Sequence, residues 1–99
     1  GEKFPWKLLS KNKIGIWHNL NESKLFLLRG KKVSYAENKQ FIYNLKKIGY
    51  ATNSKFYKDK QKFQKLLIKA FQRRFRQKKV NGKSDQECLI ISKKLARIS

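Results

Sequence analysis

The chain has 99 residues, and its 26 Lys and Arg against 6 Asp and Glu give a formal net charge of +20 and a pI near 10.4. A chain this short buries roughly 60–65% of the surface its unfolded form exposes, enough for one modest core and too little for a large self-contained catalytic cleft. The longest apolar runs, Leu25-Phe26-Leu27-Leu28 and Cys88-Leu89-Ile90-Ile91, fall far short of the roughly 18 residues a membrane span needs. One cysteine and one histidine, Cys88 and His18, make neither an internal disulfide nor a Cys/His zinc site.

The chain opens Gly1-Glu2-Lys3-Phe4-Pro5-Trp6, with no initiating Met and no basic-then-apolar secretion signal, so a processed, truncated or excised piece is expected. Phe4 to Leu9 suits a short helix, because Pro is tolerated in a first turn, and Gly15 with the Asn-containing stretch from Asn12 ends it. Asn19 or Asn21 caps a second helix through Lys24–Arg29, with Gly30 as the terminating residue; a strand over Leu25–Leu28 is the alternative. Ser34-Tyr35-Ala36-Glu37 reads as a capping box, and Phe41, Ile42, Leu45 and Ile48 mark one buried helical face that Gly49 closes. Tyr50 to Tyr57 reads as a loop.

The strongest helical pattern runs from about Lys58 to Arg76. Phe63, Leu66, Leu67, Ala70, Phe71 and Phe75 fall on one face, and Lys62, Lys65, Lys69, Arg73 and Arg76 on the solvent side. The aromatic members share their face with Leu66 and Leu67, which favours packing over base stacking. Asn81-Gly82 marks a turn, and Ser84-Asp85-Gln86-Glu87 reads as a second capping box opening a last helix whose core face is Cys88, Ile91, Leu95 and Ile98. Cys88 then serves as a small buried apolar residue. Eleven basic residues against Asp59 alone concentrate the charge between residues 58 and 83. The basic residues are mostly Lys, which attracts anions without the planar fork that reads phosphate or bases, so a solvated face and an anionic partner both remain open.

Two separated patterns resemble one family, the zinc-dependent N-acetylmuramoyl-L-alanine amidases that carry a C-terminal peptidoglycan-binding domain. Ala70-Phe71-Gln72-Arg73-Arg74-Phe75-Arg76, then Asn81-Gly82-Lys83-Ser84-Asp85-Gln86-Glu87, is similar to that domain's A-F-Q-x-x-F-R … N-G-x-x-D-x-E-T signature, with Cys88 in place of the Thr. Gly1 with Phe4-Pro5-Trp6 resembles the D-P-G-x-x-F-P-W segment that closes the amidase active site, whose zinc-ligating Asp would precede Gly1. The resemblance implies an all-α chain: a three-helix peptidoglycan-binding-like bundle over residues 34–99, preceded over 1–33 by the helical C-terminal tail of an α/β amidase domain. In the intact enzyme a zinc-bound water attacks the amide between the lactyl group of N-acetylmuramic acid and L-alanine. The zinc ligands would lie upstream, so zinc is expected only in an intact amidase, no cofactor is expected in this chain, and His18 takes no ligand role, a surface or packing one instead.

The expected function is therefore that of a C-terminal fragment of a cell-wall amidase, contributing peptidoglycan binding rather than hydrolysis. Candidate contacts are Gln72, Arg76, Asn81 and Asp85, whose amide and charged groups suit glycan hydroxyls and stem-peptide amides, although Asn81-Gly82 also suits a plain turn and Asp85 a plain helix start. The basic face of Lys62, Lys65, Lys69 and Arg73 suits stem-peptide carboxylates or phosphate-bearing polymers. Expected partners are peptidoglycan and a separate amidase catalytic fragment, in the bacterial envelope or periplasm, with a cytoplasmic location left open. The alternatives are a small nucleic-acid-binding protein held by phosphate contacts and a non-functional remnant of a split amidase gene.

Overall fold

The computed structural model describes residues 16–99, which form four α-helices and, among the described residues, no strand. They are α1 (Glu22–Leu28), α2 (Tyr35–Ile48), α3 (Lys60–Phe75) and α4 (Gln86–Ile98). The helix expected over Phe4–Leu9 and the Gly1–Trp6 segment lie outside the described residues. Among the described residues no helix is long and apolar enough to cross a membrane.

Each helix begins at a side chain that takes over an orphan backbone amide. Asn21 accepts from the Lys24 N–H, Asp59 from Lys62 and Asp85 from Cys88. Ser34 and Glu37 exchange bonds as a capping box, the Glu37 N–H to Ser34 Oγ at 3.1 Å and the Ser34 N–H to Glu37 Oε1 at 2.8 Å. Gly49 ends α2 at φ +125°, and its N–H returns to the Leu45 and Lys46 carbonyls.

α4 lies at the centre, packed against α2 along its length and against α1 at its start. The core joins Phe41, Leu45 and Ile48 of α2 to Leu67, Phe71 and Phe75 of α3 and Cys88, Ile91 and Leu95 of α4, with Leu25 of α1 and Tyr50 of the loop closing it. Phe71 is its hub: it meets Phe41 edge-on at 5.1 Å, Phe75 at 5.2 Å and Tyr50 at 6.3 Å, geometries that add to the burial of large rings. A polar bond crosses this core between α2 and α4, Asn44 Nδ2 donating to Ser92 Oγ at 3.0 Å, and the Ser92 hydroxyl donates in turn to the Leu89 carbonyl. A bond satisfied at both ends fixes the pairing of α2 with α4 without leaving a buried polar orphan.

Four expectations change. Leu66 is 41% exposed and Ile68 takes its place inside, because the buried stripe of α3 centres on Leu67, Phe71 and Phe75 and turns toward Ile68 and Gln72. Ile98 is 46% exposed at the last turn of α4, while Leu89 and Ala96 are buried. α4 is capped by Asp85 rather than by a Ser84–Glu87 box: a carboxylate accepts several donors at once, whereas the Ser84 hydroxyl donates to Asn38 Oδ1 instead. Arg76, expected on the solvent side, is 3% exposed. It sits one residue past the end of α3 with φ −143° and ψ 68°, so helical periodicity no longer sets its direction.

Candidate functional site

Gln72, Arg76, Asn81 and Asp85 meet at one corner, where α3 ends and α4 begins. Gln72 is fully buried, and its amide closes the turn as a backbone peptide would. Its Oε1 accepts the Asn81 and Gly82 N–H groups, each at 2.9 Å. Its Nε2 donates to the Lys83 carbonyl at 2.8 Å and to Asn81 Oδ1 at 3.1 Å. The turn needs Gly82 because the residue stands at φ +75°, and a Cβ there would lie 2.5 Å from Lys65 Cγ.

Four residues further on, Arg76 donates Nε to the Lys79 carbonyl at 2.6 Å and Nη1 to Asp85 Oδ2 at 2.7 Å and Glu87 Oε1 at 2.9 Å. Arg29, from the end of α1, holds the same Glu87 bidentately, Nε to Oε1 at 2.8 Å and Nη2 to Oε2 at 3.0 Å. Asp85 also accepts the Gly30 N–H at 3.0 Å, and the Gln86 N–H reaches the Lys31 carbonyl at 2.9 Å. Burial pushes the Asp85 carboxyl up, and the Cys88 N–H, the Arg76 guanidinium and the Gly30 N–H together outweigh it and hold the carboxyl below its ordinary value. Two arginines and two carboxylates thus fasten the end of α3, the end of α1 and the start of α4 to one point. The four residues are brought together with their polar atoms turned on one another. The candidate set read from the sequence leaves out Arg29 and gives Glu87, though it lies in the matched signature, no arginine partner, because a contact 58 residues apart leaves no local spacing to read.

A cleft of about 380 Å³ lies beside this network, with Trp17, Leu25, Phe75 and Ile91 as its apolar walls and His18 within it. His18 is 1% exposed, a packing histidine: its ring lies 4.3 Å from Trp17 and its Nδ1 accepts the Leu20 N–H at 2.9 Å, which places the proton of the neutral ring on Nε2. Burial lowers its pKa from the ordinary 6.5, against the opposing pull of Glu22 and Glu87. Burial also pushes the Cys88 thiol up to about 12, helped by Asp85, so it stays protonated and packs as an apolar group. The zinc that the resemblance assigns to residues upstream in an intact amidase finds no ligand set among the described residues. The one histidine already spends Nδ1 on a backbone amide, the thiol is buried and protonated, and Asp85 and Glu87 are held by arginines; no three His, Cys, Asp or Glu side chains among the described residues are grouped to hold a metal.

Of the basic face, Lys62 and Lys65 are exposed and Lys69 and Arg73 half-buried, all on one stripe of α3. Two shallow grooves lie to one side of this stripe. One, of about 450 Å³, runs between α3 and the α3–α4 turn and carries Lys60, Lys65 and Lys83; the other, of about 630 Å³, runs between α2, Thr52 and α3 and carries Tyr35 and Tyr43. Gln64 lines both. No motif marks the two tyrosines; they stand eight residues apart on α2, about 80° apart around the helix axis, and the one local signal is that both positions lie away from the buried Phe41–Leu45–Ile48 face.

Replacing Arg76 with Met leaves the Asp85 carboxylate buried without its ion-pair partner, and the folded state should lose about 3–5 kcal/mol in urea unfolding. Lys62→Gln, on the exposed face, should change stability by less than about 0.5 kcal/mol. His18 carries a sign of its own for pH. Its folded pKa lies below the unfolded one, so the unfolded state takes up the proton first as pH falls below 6.5, and stability should drop there. Melting curves from pH 7.5 to 5.5 should show this fall in the parent chain and a flatter response in His18→Gln. No protein-family model, curated protein or solved structure matches the chain.

Proposed function

We propose that the chain is the C-terminal part of a zinc-dependent N-acetylmuramoyl-L-alanine amidase and that it holds peptidoglycan rather than hydrolysing it. One observation carries the reading. The residues that resemble the binding-domain signature are the residues that build the α3–α4 corner: Gln72 takes the turn amides, Gly82 supplies the left-handed turn, and Arg76 finds Asp85. A signature of this kind has a physical reason to recur wherever that corner is built, and its spacing follows from the length of the turn. On this reading the helices α2 to α4, within residues 34–99, form the binding unit, and residues 1–33, with α1, come from the tail of the catalytic domain.

On this reading the partners are peptidoglycan and an amidase catalytic segment, and the place of work is the bacterial envelope. Specific retention has to exceed what a charge of +20 gives to any polyanion, and salt separates the two contributions because it screens exposed charges beyond about 8–10 Å. Non-specific nucleic-acid binding is the competing reading, favoured by the same charge. Co-sedimentation with insoluble peptidoglycan at low salt and at about 0.5 M salt, with duplex DNA as the control, decides between them. Retention on peptidoglycan at high salt with loss of DNA is the expected result. Release from both, or retention on DNA alone, would overturn the proposal.

A further inference from the structure

We propose that the two grooves meeting at Gln64 form one binding track for a glycan strand with acidic stem peptides, the sugars lying on Tyr35 and Tyr43 and the peptide carboxylates on Lys60, Lys65 and Lys83; this rests on the peptidoglycan reading above. The tyrosines are 77% and 56% exposed, far more than a core-forming ring, and eight helical residues set them about 12 Å apart along α2. Aromatic faces set this way offer stacking surface to the C–H faces of pyranose rings. Ile42 forms the apolar floor between them, and Thr52 and Gln64 bring a hydroxyl and an amide to hydroxyls and N-acetyl groups.

The charge is arranged differently in the two halves. The tyrosine groove holds a single cation, Lys39, whose Nζ lies 5.0 Å from the Tyr35 ring centroid, and the adjoining groove holds Lys60, Lys65 and Lys83. Neither groove is lined by an acidic residue. Lys60 Nζ spends one donor on the Ser54 carbonyl at 3.0 Å, which anchors it at the groove without removing its charge. A single-stranded nucleic acid carries a phosphate beside every base and is matched by cations interleaved with the stacking rings. Peptidoglycan instead separates neutral sugars from anionic peptide, as the track separates its rings from its lysines. Lysine also suits scattered carboxylates, which need charge rather than the bidentate fork of Arg. A surface track, open along its length, accommodates a polymer that runs past both ends.

The test is the affinity of the full chain for three soluble probes at about 0.3 M salt, where distant charge is screened: glycan strands with tetrapeptide stems, the same strands stripped of peptide, and an oligothymidylate. Two variants accompany the parent chain, Tyr35→Ala/Tyr43→Ala and Lys60→Gln/Lys65→Gln/Lys83→Gln, with circular dichroism to verify that both keep their helices. The tyrosine variant should lose about tenfold or more for both glycans. The lysine variant should lose a similar factor for the stem-bearing strand and nothing for the bare one. Parent-like glycan affinity in folded variants would overturn the track while leaving the peptidoglycan reading intact. Failure of the parent chain to bind either glycan would overturn both. Oligothymidylate binding stronger than glycan binding and lost in the tyrosine variant would assign the track to nucleic acid and overturn the glycan proposal.

Discussion

A guanidinium charge taken out of water is tolerated only where carboxylates and carbonyls surround it, and Arg76 sets that requirement for this fold. Meeting it draws in Asp85 and Glu87 at the start of α4 and the Lys79 carbonyl beyond α3, which fixes where the turn between the two helices runs. Asp85 in turn takes the Gly30 amide, and Glu87 takes Arg29, so the end of α1 is fastened at the same point. Such a network adds little net stability over a well-packed apolar substitute, but it admits few alternative arrangements, and that gives the corner its specificity. The apolar core supplies the driving force, and the charged corner chooses the geometry in which it is buried.

This division explains which parts of the structure can be read from local sequence. Ser34 and Glu37, three residues apart, announce their capping box because both partners sit in one turn, and Phe41, Leu45 and Ile48 announce a buried face because helical periodicity is local too. The corner is different. Gln72, Asn81 and Asp85 are recognisable as a motif, yet nothing near them indicates that Arg76 turns inward, since the helix that would have held it outward ends at Phe75. Ser84 and Glu87 have the spacing of a cap, but Asp85 outcompetes Ser84 because one carboxylate meets the demands of Cys88, Gly30 and Arg76 together. Leu66 is misplaced by a fraction of a turn for a similar reason. The position of the buried stripe on α3 is set by what packs against Gln72, a tertiary fact.

The same separation applies to the surface. A count of basic residues shows that the chain attracts anions, but not that three lysines gather at one groove while two tyrosines stand exposed at the next. Those positions depend on how α2, α3 and the turn are held against one another, which returns to the corner. A rigid α3–α4 turn presents Lys83 and Gly82 opposite Lys60 and Lys65, and a loosened one would dissolve the lysine groove without disturbing α2. The shape of the lysine groove and the stability of the corner are therefore linked through Gln72 and Arg76, both of them buried.

The most direct measurement of that dependence is hydrogen exchange at the amides of Gly30, Asn81 and Gly82, which sit outside the helices and are held by the Asp85 and Gln72 side chains. If the corner organises the fold, these three loop amides should exchange as slowly as the amides of Leu45 and Leu95 and open with the same cooperative unit. Exchange at free-loop rates while the helical core stays protected would contradict the account.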